Sequence, residues 1–126
     1  MCSSDLNAYT APGVAWLATA LRHEADQVQA SDPGEATQLR RQAESAARRA
    51  ARLGRRFRPD LPHALRERGL LLAALGRPRK GLRRLEESLA EAERQGARYE
   101  QAQTRLALAR QSGQGWLLGA QRTTRT

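Results

Sequence analysis

The stretch ALRERGLLLAALGRPRKGLRRLEESLAEA, residues 64–92, decides the fold. It reads as two helices separated by Gly76-Arg77-Pro78. In the first, Leu65, Gly69, Leu72 and Leu75 recur at three- and four-residue steps, and Leu70, Leu71, Ala73 and Ala74 widen the stripe. A helix apolar nearly all round is expected to be the most buried element. In the second, from about Pro78 to Gln95, Leu82, Leu85, Leu89 and Ala92 form the inner face, while Arg83 and Glu87 are spaced to pair outside. Glycine followed by proline stops a helix, and so short a connection makes the two neighbours antiparallel.

The same pattern extends in both directions. Asp60-Leu61-Pro62 opens the third helix; Gly96 closes the fourth. A fifth, from about Arg98 to Gln111, presents Tyr99, Ala102, Leu106 and Ala109. Toward the N-terminus, Ala36, Leu39, Ala43, Ala46, Ala50 and Leu53 form a seam of small residues along a helix from about Pro33 to Leu53. Asp32 fits its N-cap, Pro33 its first position, and Glu35 the position whose carboxylate can reach back to the cap. The first helix, about Gly13 to Ala30, carries Val14, Leu17, Ala18, Leu21, Ala25 and Val28 on one face. The expected division is a disordered N-terminus (1–9), a helical repeat domain (10–112) and a Gly/polar tail (113–126), with Gly119 to Thr126 disordered. Met1 to Leu6 resembles the translation of a sequencing-adapter end and is left out of the fold.

Composition agrees. Aromatic residues are 4% of the chain, alanine, leucine and arginine dominate, and no stretch alternates apolar with polar residues. The fold class is all-α: antiparallel helix pairs, about five helices. The net charge is +9, yet Lys80 is the only lysine among 22 basic residues. That skew points to GC-rich bacterial codon usage as much as to a selected basic surface. Cys2 is the sole cysteine, which excludes an internal disulfide and a cysteine metal cluster. The longest apolar run, Gly69 to Leu75, falls far short of the roughly 20 residues that span a bilayer. With no signal-peptide pattern, a cytoplasmic location without membrane partners is expected.

The helices recur in pairs. GRRF at 54–57 aligns with GARY at 96–99, giving a unit of roughly 38 to 42 residues, near the range of helical repeats. Within 64–92 the chain resembles the tetratricopeptide pattern. Leu65 stands at its first large position, Gly69 at a small one, Leu72 at the tyrosine and Gly76 at the turn glycine. Gly81, Leu85 and Ser88 take the small, large and small positions of the second helix. Arg68 departs from the pattern, which has leucine there, and no proline follows Ser88. The resemblance implies an α-solenoid fragment packed through these residues together with Leu89, Tyr99, Ala102 and Leu106.

Residues 76–110 are also similar to the helical-repeat regions of large bacterial signalling proteins. There such a segment follows an AAA-type ATPase domain and accompanies a serine/threonine kinase, a nucleotide cyclase, a histidine kinase or a LuxR-type DNA-binding domain. This likeness covers about residues 60–118; residues 7–59 fit the architecture by pattern alone.

No motif carries chemistry. His23 and His63 have no ligand-spaced neighbours and read as surface residues. Glu86, Glu87, Glu91 and Glu93 alternate with arginine as a solvated face, and GRPRKG and GQGW lack phosphate-loop spacing. The chain is therefore expected to be no enzyme and to need no cofactor.

Residues 40–58 hold eight arginines against Glu44, and Arg41, Arg48, Arg52 and Arg55 mark a basic face. That face reads as solvated or as a surface for nucleic acid or an acidic partner. Trp16 and Trp116 are candidate partner contacts. The expected function is a protein–protein interaction or regulatory scaffold module, part of a larger bacterial signalling or transcription-regulating ATPase or kinase. Its partner is a peptide, a protein or a neighbouring domain. The alternative is a small arginine-rich helical nucleic-acid-binding protein. With about two and a half of the roughly three repeats that bury a continuous core, self-association is a further expectation.

Overall fold

A computed structural model describes the backbone of residues 3–124 and the side chains of residues 13–113. The chain is all-α. Its helices are α1 (Ser3–Val28), α2 (Pro33–Gly54), α3 (Leu61–Ala74), α4 (Pro78–Gln95) and α5 (Arg98–Thr124), with a single 3-10 turn at Arg58–Asp60. Consecutive helices pack antiparallel, and α3 also touches α1 and α5, so it lies at the centre. Both terminal helices extend beyond the range read from periodicity, through stretches assigned to the polar termini. Their Ala and Leu content favours helix, and isolated glycines such as Gly113 cost only about 1 kcal/mol each. Trp116 and the other side chains after Gly113 lie outside the described residues.

The helix ends follow local chemistry. Asp32 Oδ1 accepts the Glu35 N–H at 3.0 Å, and Pro33 fills the first turn. The reciprocal half of that cap is replaced: the Asp32 N–H donates to Val28 O at 2.8 Å. Gly76 (φ 87°) and Gly96 (φ 66°) end α3 and α4 in the left-handed conformation that glycine adopts without penalty. The following amides, Arg77 N–H and Ala97 N–H, reach back to Leu72 O (2.8 Å) and Ala92 O (2.9 Å). Gly54 differs from Gly96 despite the GRRF/GARY alignment. It is the last residue of α2 and lacks the positive φ of Gly96; what it provides is close approach, since a Cβ there would lie 3.0 Å from Leu61 Cα.

Two kinds of packing hold the helices. Between α1, α2 and α3 the core is mostly alanine: Ala15, Ala18, Ala25, Ala36, Ala43, Ala47, Ala50 and Ala51 are buried with Leu61, Leu65 and Leu71. Small side chains let helices approach closely but bury little area, so each contact contributes modestly. Between α3 and α4 the backbones themselves meet. A Cβ on Gly81 would lie 2.5 Å from Gly69 O, and one on Gly69 would lie 2.8 Å from Leu85 Cγ. Leu85 and Ser88 are buried on the α4 side of this contact, and Leu89 is half-buried.

Helix α5 contradicts the periodic reading. Tyr99, Ala102, Leu106 and Ala109 face outward, while Thr104 and Ala107 are buried. Tertiary hydrogen bonds rotate the helix. Arg66 Nη1 donates to Glu100 Oε2, Gln101 Nε2 donates to Ala92 O at 3.3 Å, and the Ser88 and Thr104 hydroxyls lie 2.9 Å apart. The Ser88 hydroxyl also bonds Pro62 O at 2.7 Å, joining α3, α4 and α5. Leu17 and Leu82, expected inside, are exposed as well. On α4 the pair is Arg84–Glu87 at 3.0 Å, in place of Arg83–Glu87. Glu91 is buried, held by Arg94 and Arg58, in place of a solvated position.

Candidate binding groove

The central helix α3 is apolar nearly all round, so polar residues on it are carried inside. His63, Arg66 and Glu67 are buried, although His63 was expected at the surface. All three are satisfied by partners on the flanking helices. Glu67 receives a two-pronged guanidinium from Arg22 of α1, Nε to Oε2 at 2.6 Å and Nη2 to Oε1 at 3.0 Å. Burial alone would raise the Glu67 pKa, yet the Arg22 fork holds it below the ordinary carboxylate value. Arg66 is matched by Glu100 of α5. The His63 Nε2 lies 2.9 Å from Thr19 Oγ1, and the Thr19 hydroxyl is 3.2 Å from Ala15 O. Burial, followed by the adjacent Arg66 charge, lowers the His63 pKa, which leaves its imidazole neutral near pH 7.

Above this floor lies an open cleft of about 240 Å³ between α1 and α5. Its rim is aromatic and apolar: Trp16 is 59% exposed, Tyr99 66% and Leu106 52%. The Trp16 ring stands edge-on to His63, centroids 4.6 Å apart at 67°, which fixes the orientation of an otherwise exposed indole. Arg110 and His23 also line the cleft. Paired charges set the floor, and large uncovered side chains form the rim. Such a site can grip apolar or aromatic groups of an extended or helical segment. On the floor itself His63 Nε2 and Glu67 Oε1 lie 3.9 Å apart.

The structure distributes the expected site residues unevenly. Gly69, Gly81 and Leu85 meet at the α3–α4 contact, with Ser88 bonded to Pro62 O across it and Gly76 turning the chain beside it, whereas Leu65 packs with Ala15, Ala50 and Ala51 and Leu72 lines the cleft toward α2. Tyr99 and Leu106 belong to the groove in place of the packing interface, and Ala102 faces solvent. Of the basic face, Arg41 and Arg48 line a cleft beside α3, whereas Arg52 and Arg55 are exposed away from it. The residues that sequence reading missed are Thr19, Arg22, Arg66 and Glu67. One signal could have found them: a charge on a helix apolar on every side must find a partner or destabilise the fold. No group of three or more His, Cys, Asp or Glu gathers as metal ligands among the described residues. No described helix is long and apolar enough to cross a membrane. The chain matches no protein-family model, and the comparisons with curated proteins and with solved structures find no match.

Proposed function

We propose that this chain is a protein-interaction module whose α1–α3–α5 groove receives a segment of a partner polypeptide. One observation carries the reading: Trp16, Tyr99 and Leu106 remain uncovered over a floor whose own charges are already paired. Large amphipathic side chains held in place are the usual anchors of protein interfaces. Their exposure costs solvation that a partner would recover. The tetratricopeptide-like pattern supports the same reading, since Gly69, Gly81, Leu85 and Ser88 meet where two helices of such a repeat touch. On this reading the helix pairs are repeats of an α-solenoid, and the groove is its concave face. The module then acts in the cytoplasm as a scaffold or regulatory part of a signalling ATPase or kinase.

Peptide-display selection on the intact chain tests the proposal. Selected peptides should bind the Trp16→Ala and Tyr99→Ala variants at least about tenfold more weakly, and an exposed control, Leu82→Ala, as well as wild type. Failure to enrich any sequence, or binding indifferent to both rim substitutions, would refute it.

A further inference from the structure

A second cleft, of about 330 Å³, opens on the opposite side of α3, between α2 and α4. Its chemistry is unlike that of the groove. Arg48, Arg68, Arg77, Lys80, Arg83 and Arg84 line it, with Glu44 as the one carboxylate in the lining. Glu44 is already engaged: its Oε2 accepts from Arg48 Nη2 at 2.6 Å. Glu87, at the edge, is taken by Arg84 at 3.0 Å. Several cations therefore face one small volume with few counter-charges.

Arg68 registers that excess. Its side chain is 27% exposed, and its buried Nε–H has no hydrogen-bond acceptor; Glu44 Oε1, at 3.7 Å, is a loose ion-pair partner, and Arg48 already holds that carboxylate at 2.6 Å through the other oxygen. Burial first, then the facing Arg84 charge and, more weakly, Arg48, press its guanidinium pKa below the usual value, and Glu44 and Glu87 offset this only in part. An adjoining cleft of about 400 Å³ shares Glu44, Arg48, Leu72 and Arg77 and adds Arg40 and Arg41.

We propose that the α2–α4 cleft is an anion site for a small ligand carrying linked phosphoryl groups. Guanidinium forks match the geometry of phosphate oxygens and hold them through paired N–H donors. Linked phosphates place several negative charges within a few ångströms, as a cluster of this density requires. The cleft falls in the lower part of the volume range of small-molecule sites, roughly 300–1,000 Å³, which suits a compact anion better than a nucleic-acid duplex.

Calorimetric titration of the intact chain with inorganic tripolyphosphate at low salt tests this, with orthophosphate and a short DNA duplex as comparisons. Saturable one-site binding is expected, at least about tenfold tighter for tripolyphosphate than for orthophosphate. Arg68→Met and the double variant Arg77→Gln/Arg84→Gln should each weaken it by at least about tenfold. The double variant keeps the test independent of any packing role of Arg68. Arg55→Gln/Arg56→Gln removes the same charge outside the cleft and should weaken binding less than about twofold. Equal losses in the two double variants, absence of saturation, or tighter binding of the duplex through the same residues would each overturn the assignment.

Discussion

The two sides of α3 treat their arginines in opposite ways. Toward α1 and α5, Arg22 and Arg66 each meet a carboxylate, and the exposed rim carries Trp16, Tyr99 and Leu106 beside Arg110. Toward α2 and α4, cations outnumber carboxylates and the Arg68 Nε–H has no acceptor. Charge count alone therefore says little about binding. Pairing decides: a matched ion pair builds structure, whereas an unmatched cation in a cleft is available to an external anion. The eight arginines of residues 40–58 illustrate the point, since Arg40, Arg48 and Arg58 are engaged by Asp26, Glu44 and Glu91.

The largest expected effect concerns the frame on which both sides depend. Gly81→Ala places a methyl 2.5 Å from Gly69 O, and overpacking against backbone should destabilise by about 3 kcal/mol in denaturant unfolding. A change under about 0.5 kcal/mol would mean that the α3–α4 contact is looser than the geometry states. Next, Glu67→Gln leaves the Arg22 fork half-matched and should cost about 2–3 kcal/mol, below the cost of breaking a fully buried pair because Arg22 keeps some solvent.

The pH dependence comes third. In the unfolded chain His63 takes a proton as pH falls through its ordinary 6.5, while the folded site resists, so stability drops below that value. Glu67 adds a second loss below its ordinary 4.5, as the folded carboxylate titrates lower than the unfolded one. Thermal melts from neutral pH downward should show both steps, and His63→Gln should remove only the first.

Opposite in sign is Arg68→Leu. Removing a buried donor without an acceptor should stabilise the fold by about 0.5–1 kcal/mol, whereas the corresponding loss on the groove side destabilises. A destabilising Arg68→Leu would break the contrast between the two sides. The smallest effect is expected for Arg48→Gln, an exposed i,i+4 partner of Glu44, at under about 0.5 kcal/mol.

The periodic residues of α2 and α3 made the fold legible. Ala36, Leu39, Ala43 and Ala50 are buried as their spacing requires, and α3 is the most buried helix. Periodicity misplaces the buried face of α5 because its small and large apolar residues satisfy two helical phases, and only the hydrogen bonds that Glu100, Gln101 and Thr104 make with Arg66, Ala92 O and Ser88 select one. Of the groove, Trp16 alone was read as a contact, and Tyr99 and Leu106 were assigned to packing. His63 and Glu67 sit four residues apart on a helix whose partners lie more than forty residues away in sequence, so spacing carries no trace of their pairing.

Helix number, order and most boundaries are properties of the sequence by itself. Propensity, capping at Asp32 and the turn glycines Gly76 and Gly96 are local effects, complete within a few residues. Which charges are matched and which stay open was decided by tertiary structure alone. Coulombic and hydrogen-bond energies depend on distances of a few ångströms, and the chain sets those only when α1, α2, α4 and α5 close around α3.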